Sequence, residues 1–439
     1  MNERVTEQIV RKLLNDQGYF FNQHLVIDEQ ISSIPKIDKL LKTASKKGLG
    51  KGFPEFLISS NQNPDFLIVI ECKGDIKNHQ SPNLDKYADY AVDGSILYAS
   101  YLSSEYDVLA IGVSGQNLSE LKITHHLFLK NSSRFEKIFG DQLLTFDNYI
   151  EGYIHSPQKF NQEYEGLLEY SKEINDFLHT KKVKESQRSL LISGILLALQ
   201  NDAFLVSYKK YTTADQLAKN LIETISNQLL NEELPSQTVQ NVRKSFDFFQ
   251  THTTLSSDIQ LLKNVIEHID ININGFIKTY KYFDTIGQFY IEFLRYANND
   301  KGLGIVLTPP HITELFCDLV DLSCNHVVLD NCCGTGGFLI SALKKMKVDA
   351  TENLSKIEQI KSEQLIGIEF QDDIFALAVS NMIIHGDGKS NIFQNDCFKL
   401  VDYIRSKYQP TIGFLNPPYK SNKNDIEEMA FILNNLDVI

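Results

Sequence analysis

Hydrophobic positions along this chain repeat with different rhythms, and the changes between them mark three regions. Near the start, Val5, Ile9, Val10, Leu13 and Leu14 recur at helical spacing, and short apolar runs follow at 66–70, 96–98 and 108–113. A helix followed by short buried runs predicts a small α/β domain over 1–160. Between 161 and 298 the long polar–apolar periodic stretches 189–199, 214–230 and 259–269 carry almost no strand signal, which predicts a helical connector domain. After the turn Lys301-Gly302-Leu303-Gly304, apolar runs at 327–329, 365–368 and 412–415 alternate with helical stretches through 299–439. That is the spacing of parallel strands joined by crossovers, a doubly wound, Rossmann-like α/β domain.

Composition narrows the classes. With 439 residues, 42% of them hydrophobic, the chain exceeds the usual size of one core. No apolar run reaches the roughly 18 residues of a membrane span, and the first residues lack the basic-then-apolar plan of a secretory signal, so a cytoplasmic location is expected. Six scattered cysteines without metal-type spacing read as reduced thiols and not as a zinc site. A net charge of −13 argues against nonspecific coating of nucleic acid while leaving room for a locally basic groove. Two runs are candidates for phosphate contact or for a solvated face: Lys36, Lys39, Lys42, Lys46, Lys47 and Lys51, and Lys181, Lys182, Lys184 and Arg188.

The tetrapeptide Asn416-Pro417-Pro418-Tyr419 carries the sharpest chemistry. A carboxamide can accept hydrogen bonds from an exocyclic amine of a planar base, and an aromatic ring can stack on that base. Two prolines fix φ and donate no hydrogen bond, so the segment ends the preceding strand as a stiff loop. Upstream, the strand ending at Asp330 runs through Asn331-Cys332-Cys333 into Gly334-Thr335-Gly336-Gly337 and then a helix. Alone, such a turn fits a dinucleotide site or a mere tight turn equally well. Its neighbours matter: Glu369 ends the next strand, where it can accept from two ribose hydroxyls; Asp396 can accept from an adenine amine; and Thr308-Pro309 precedes a helix that can close over a cofactor.

This ordered set resembles the N6-adenine DNA methyltransferases of the type I modification-subunit kind, and Asp284-Thr285-Ile286-Gly287 onward resembles the segment joining that family's helical and catalytic domains. The resemblance implies S-adenosylmethionine bound by Thr308, Pro309, Asp330, Gly334, Thr335, Gly336, Gly337, Glu369 and Asp396. It implies catalysis by Asn416, Pro417, Pro418 and Tyr419 on a flipped adenine, without a metal. One departure stands out: Asp330-Asn331-Cys332-Cys333 replaces the common Asp-Pro-Ala-Cys. A small-molecule or protein methyltransferase is a distant alternative, because release-factor methyltransferases also use Asn-Pro-Pro-Tyr.

Near the amino terminus, Pro64-Asp65, an apolar run and Glu71-Cys72-Lys73 suggest two carboxylates and a lysine converging, with Asp65 and Glu71 holding Mg2+ and Lys73 orienting the attacking water. This resembles the PD-(D/E)XK nuclease superfamily, as in type I restriction subunits and fused type IIG and IIB enzymes. Glu7, or less readily Glu3, adds a metal-site acid, and Gln80 and Lys86 are candidate phosphate contacts on a helix opening at 83–88. Together these features predict a restriction-modification polypeptide acting on double-stranded DNA. The alternative is a modification or DNA-binding subunit of a phage-defence complex with an inert nuclease-like domain. Only four strands of an expected seven can be counted by Ile439, so a missing recognition domain or a specificity subunit is expected to complete the site, in a homo- or hetero-oligomer, with no membrane partner.

Overall fold

In the computed structural model, which describes residues 2–46, 48, 50–132, 134–232, 234–297 (backbone alone for 294–297), 307–351, 353–387 and 391–417, the first sheet is built by the apolar runs near the amino terminus. Its strands are β1 (Leu25–Asp28), β2 (Phe56–Ser60), β3 (Phe66–Lys73), β4 (Asp107–Ser114), β5 (Lys122–Phe128) and β6 (Phe135–Lys137), in that spatial order. All neighbours are antiparallel except β3 and β4. The helix Ala91–Leu102 makes the crossover that this parallel pair requires.

Alternation along β3 explains why both of its faces are buried. Ile68, Ile70 and Cys72 join one apolar cluster with Val10 and Leu14 of the helix Glu3–Asp16, whereas Leu67 and Val69 join another with Ala99 and Leu102. Burial of each such aliphatic side chain contributes about 1.5–3 kcal/mol, so β3 is anchored from both faces of the sheet.

Contacts divide the chain into two compact units, Met1–Glu163 and Tyr164–Ile439. The helical connector and the carboxy-terminal sheet, expected from sequence as separate domains, therefore share one unit. The reason is the helix Glu185–Leu199, whose residues from Arg188 onward are all buried. A helix apolar on every side must be covered all round, and it packs on Ala214–Asn231 and Thr285–Ala297 and also on Asp372–Ile384 of the sheet region. Among the described residues no single helix is long and apolar enough to cross a membrane.

The second sheet is parallel, with β7 (Val328–Asp330), β8 (Leu365–Glu369), β9 (Asn391–Gln394) and β10 (Ile412–Phe414) in the order β10-β7-β8-β9. The chain steps outward from β7 to β9 and then returns to the other side of β7. Such a reversal opens a crevice at the carboxyl ends of the strands, where open α/β sheets bind ligands.

Two local expectations change. The run 96–98 lies inside the helix Ala91–Leu102, and residues 83–88 form turns and no helix. Leu84 takes a left-handed φ of 58°, and the Ser81 and Lys86 amides donate to the buried Asp93 carboxylate, so this backbone is committed elsewhere.

The helix Ala91–Leu102 approaches β4 through Gly112, where a Cβ would stand 2.6 Å from Val92 Cα. Gly112→Val should destabilise the first unit by about 1–3 kcal/mol, seen as a lower urea midpoint; an unchanged midpoint would refute this close packing.

Candidate functional site

The crevice above β7, β8 and β10 is a cleft of about 430 Å3. Thr308, Asp330, Gly334, Thr335, Gly337, Glu369, Asp396 and Asn416 line it, so residues spread over more than a hundred positions meet at one sheet edge. Pro309 and Gly336 are not in the lining and shape it instead. Pro309 is the N-cap of the helix Pro310–Leu319, and Gly336, at φ 90°, is the left-handed N-cap of Gly337–Ala350. Pro417 follows Asn416 outside the lining, and Pro418 and Tyr419 lie outside the described residues.

Backbone amides hold the acids in place. Gly334 N–H donates to Glu369 Oε2 at 3.1 Å and Gln371 N–H to Oε1 at 2.8 Å. Each carboxylate oxygen has a second lone pair, so Glu369 keeps acceptor capacity towards the cleft. Burial raises its pKa while these amide bonds lower it, and burial wins. Asp330 accepts from Cys332 N–H at 3.1 Å. Burial pushes its pKa up to about 7, opposed by that amide bond and reinforced by the Glu369 charge. Asp396 accepts from Phe398 N–H at 3.1 Å, which turns its loop back over the cleft.

Asn416 is oriented by the Thr-Pro segment. Its Nδ2 donates to Thr308 Oγ1 at 2.9 Å, tying the loop after β10 to the residue that precedes the helix Pro310–Leu319. With the amide nitrogen so engaged, Oδ1 is the acceptor end of the group. Beneath β10, Phe414 stacks on Phe338 at 4.8 Å and fixes the strand from which Asn416 projects.

Sequence reading passed over two features of this cleft. Cys332 and Cys397, on loops after β7 and β9, both line it, and their thiols hydrogen-bond to each other. All six cysteines are free, as expected. Asp284 also lines the cleft, buried, and accepts from Thr335 Oγ1 at 3.1 Å. The only signal for it was its place in the joining segment.

In the first unit the amino-terminal set is rearranged. Asp65 does not converge with Glu71: it is exposed before the start of β3, whereas Glu71 lies near the other end. Six residues of extended chain separate them by on the order of 20 Å, so an acid at that spacing cannot share a metal with Glu71. The acid beside Glu71 is Glu55, which immediately precedes β2, and β2 pairs with β3 in the register Phe56↔Ile70. Pro54-Glu55 thus occupies the place assigned to Pro64-Asp65. Burial and the neighbouring Glu71 raise the Glu55 pKa far above the usual carboxylate range.

Two lysines complete the cluster. Lys46 pairs with Glu71 and, at 3.7 Å, with Glu55; Lys73 lies 3.3 Å from Glu71 and 2.9 Å from Glu3. Glu7 is near enough for burial and the charges of Glu55 and Glu3 to raise its pKa. Glu55 Oε2 and Glu71 Oε2 are buried with no donor group against them, and the two carboxyls are close enough to share a proton. Among the described residues no three His, Cys, Asp or Glu side chains are placed to hold a metal ion.

The lysine runs are not continuous strips. Lys46 turns inward, Lys36 and Lys51 pair with Glu105 and Asp38, and Lys47 lies outside the described residues. Arg188 is buried, donating to Asn175 Oδ1 at 2.7 Å and to Val183 O at 3.2 Å, so it is a helix-packing group and not a phosphate contact. Gln80 and Lys86 are exposed.

Comparison with known proteins decides the family. The profile of the N-6 DNA Methylase family matches residues 281–434. The type II restriction enzyme and methyltransferase RM.BcgI of Heyndrickxia coagulans is 32% identical over 481 residues, covering 100% of this chain and 72% of that protein. This chain belongs to the N6-adenine DNA methyltransferases of restriction-modification systems. The EcoEI type I methylase subunit of Escherichia coli is 30% identical over 148 residues, 33% of this chain and 29% of that subunit. A solved structure of a type I restriction-modification system aligns at a TM-score of 0.41 and 18% identity, over 62% of this chain and 61% of that one. Membership in the methyltransferase family implies S-adenosylmethionine as the methyl donor.

The raised pKa of Asp330 gives the methyltransferase a pH signature. Its folded pKa of about 7 exceeds the unfolded value of 3.8, so its contribution is full below about pH 4 and is lost as pH rises towards 7. Unfolding free energies of the ligand-free chain measured across this window should fall relative to those of Asp330→Asn; a constant difference would contradict the assignment.

Proposed function

We propose that this chain transfers a methyl group from S-adenosylmethionine to N6 of adenine in double-stranded DNA at the cleft of the second unit, and that the acid–lysine cluster of the first unit hydrolyses DNA with Mg2+. The observation that carries the methyl-transfer reading is the hydrogen bond from Asn416 to Thr308 at the rim of the cleft that holds the glycine turn and Glu369. S-adenosylmethionine supplies a methyl group activated by its own sulfonium, so the chain has to bind, orient and exclude water. Glu369 accepts from ribose hydroxyls, Asp396 from the adenine amine of the donor, and the turn at Gly334 to Gly337 lets the donor approach the backbone. Asn416 Oδ1 and the Pro417 carbonyl accept from the target amine and disperse the positive charge that develops on nitrogen. Tyr419 stacks on the extruded base, offsetting a few kcal/mol of lost stacking.

The carboxylates of the first unit fit a divalent cation. Two buried oxygens, Glu55 Oε2 and Glu71 Oε2, have no donor group against them, and Mg2+ commonly takes one or two carboxylates with waters and substrate phosphate filling the rest. Glu55 and Glu71 would hold the ion, Glu7 would contribute through water, and Lys73 would orient the attacking water. The alternative, an inert nuclease-like domain that binds DNA in a larger complex, is favoured by one feature: Lys46 already closes on Glu71 where a cation would sit. Recognition of a DNA site is assigned to a further domain or a specificity subunit.

Two experiments separate these readings. Asn416→Ala should reduce methyl transfer to adenine-containing DNA by at least about 100-fold while calorimetric binding of S-adenosylmethionine stays within about twofold; equal loss of both would remove Asn416 from the amine-binding role. In an Mg2+-dependent nicking assay, Glu55→Ala and Lys73→Ala should abolish cutting and Asp65→Ala should leave it intact. Parity of all three with the unmodified chain would favour the inert domain.

A further inference from the structure

Asp284 is a buried carboxylate that methyl transfer, as assigned above, does not use. It precedes the helix Thr285–Ala297 and borders the cleft. Its Oδ1 accepts from Gly287 N–H and from Asn381 Nδ2, each at 2.7 Å, and its Oδ2 accepts from Thr335 Oγ1 at 3.1 Å. Asn381 also donates to Thr335 O at 2.9 Å, so the carboxylate, the glycine turn and the helix Asp372–Ile384 form one network. Two glycines make the space for it. A Cβ at Gly287 would overlap Asp284 Oδ2, and one at Gly337 would stand 3.2 Å from it.

All three donors are uncharged, and among the described residues no cation faces Asp284. Its three hydrogen bonds offset the desolvation of the carboxylate only in part, so burial still leaves its pKa raised. Asp284 also lines the cleft, the side from which a cationic ligand group can reach it.

We infer that Asp284 is the counter-charge for the ammonium group at the methionine end of the methyl donor, and that through Thr335 it holds the glycine turn ready to receive that end. The inference rests on the S-adenosylmethionine reading of the cleft and adds to it the group that recognises the cationic end. It also explains Gly337 by the room its missing side chain leaves for an anion.

Asp284→Asn isolates the charge. The amide oxygen can still accept from Gly287 and Asn381, and the amide nitrogen can donate to the Thr335 hydroxyl, which then accepts. Calorimetric titration of the full chain with three ligands reads the result. Affinity for S-adenosylmethionine should fall by about tenfold or more, consistent with the loss of one charge-assisted contact. S-adenosylhomocysteine, which keeps the ammonium but lacks the sulfonium, should lose affinity by the same factor. The neutral analogue 5′-methylthioadenosine, which has no amino-acid end, should bind as before, and the melting temperature should be unchanged. Equal weakening of all three ligands would reduce Asp284 to a structural part, and no weakening of any would remove its charge from recognition; either overturns the inference. Failure of the unmodified chain to bind S-adenosylmethionine would instead sink the cofactor reading itself, and the inference with it.

Discussion

Parallel pairing of β7 with both β8 and β10 is the constraint on which the cleft depends. Register places Asp330 beside Gly367 on one side and beside Phe414 on the other. Glu369 and Asn416 each follow their paired residue by two positions, so both emerge at the same edge of the sheet as the glycine turn. Shifting either pairing by one residue would turn the alternating side chains to the opposite face and scatter the site. The hydrogen bond from Gly334 to Glu369 ties two of these strand ends together, and that from Asn416 to Thr308 ties the third to the helix beyond.

Both units concentrate buried acid, and they manage it differently. In the first, Lys46 and Lys73 stand against Glu55 and Glu71, yet burial and the neighbouring carboxylate still hold the Glu55 pKa far above its ordinary range. In the second, Glu369, Asp330 and Asp284 are held by amides and hydroxyls alone, which leaves their pKa values raised. Groups strained towards protonation gain most from a ligand that brings positive charge or hydroxyl donors.

Much of this was legible in the residues, for identifiable reasons. Ordered motifs on consecutive parallel strands end at one sheet edge whatever the loops between them do, and so Asp330, Glu369, Asp396 and Asn416 could be gathered before any coordinates. The first sheet resisted because its neighbouring acid comes from an antiparallel partner. Pro54-Glu55 and Pro64-Asp65 both precede apolar strands, and only the pairing Phe56↔Ile70 chooses between them. Asp284 stayed hidden because two of its three hydrogen bonds come from distant segments, which no local pattern encodes. The thiol pair Cys332 and Cys397 likewise needed two loops brought over the end of β8.

The helix Glu185–Leu199 carries a last implication for how the polypeptide can be divided. With every flank covered, partly by Asp372–Ile384 of the sheet region, a cut near residue 298 would strip a greasy wall from each product. The apparent linker before the sheet is thus a false seam, and the catalytic half inherits its helical companion as an obligatory part of its own folding.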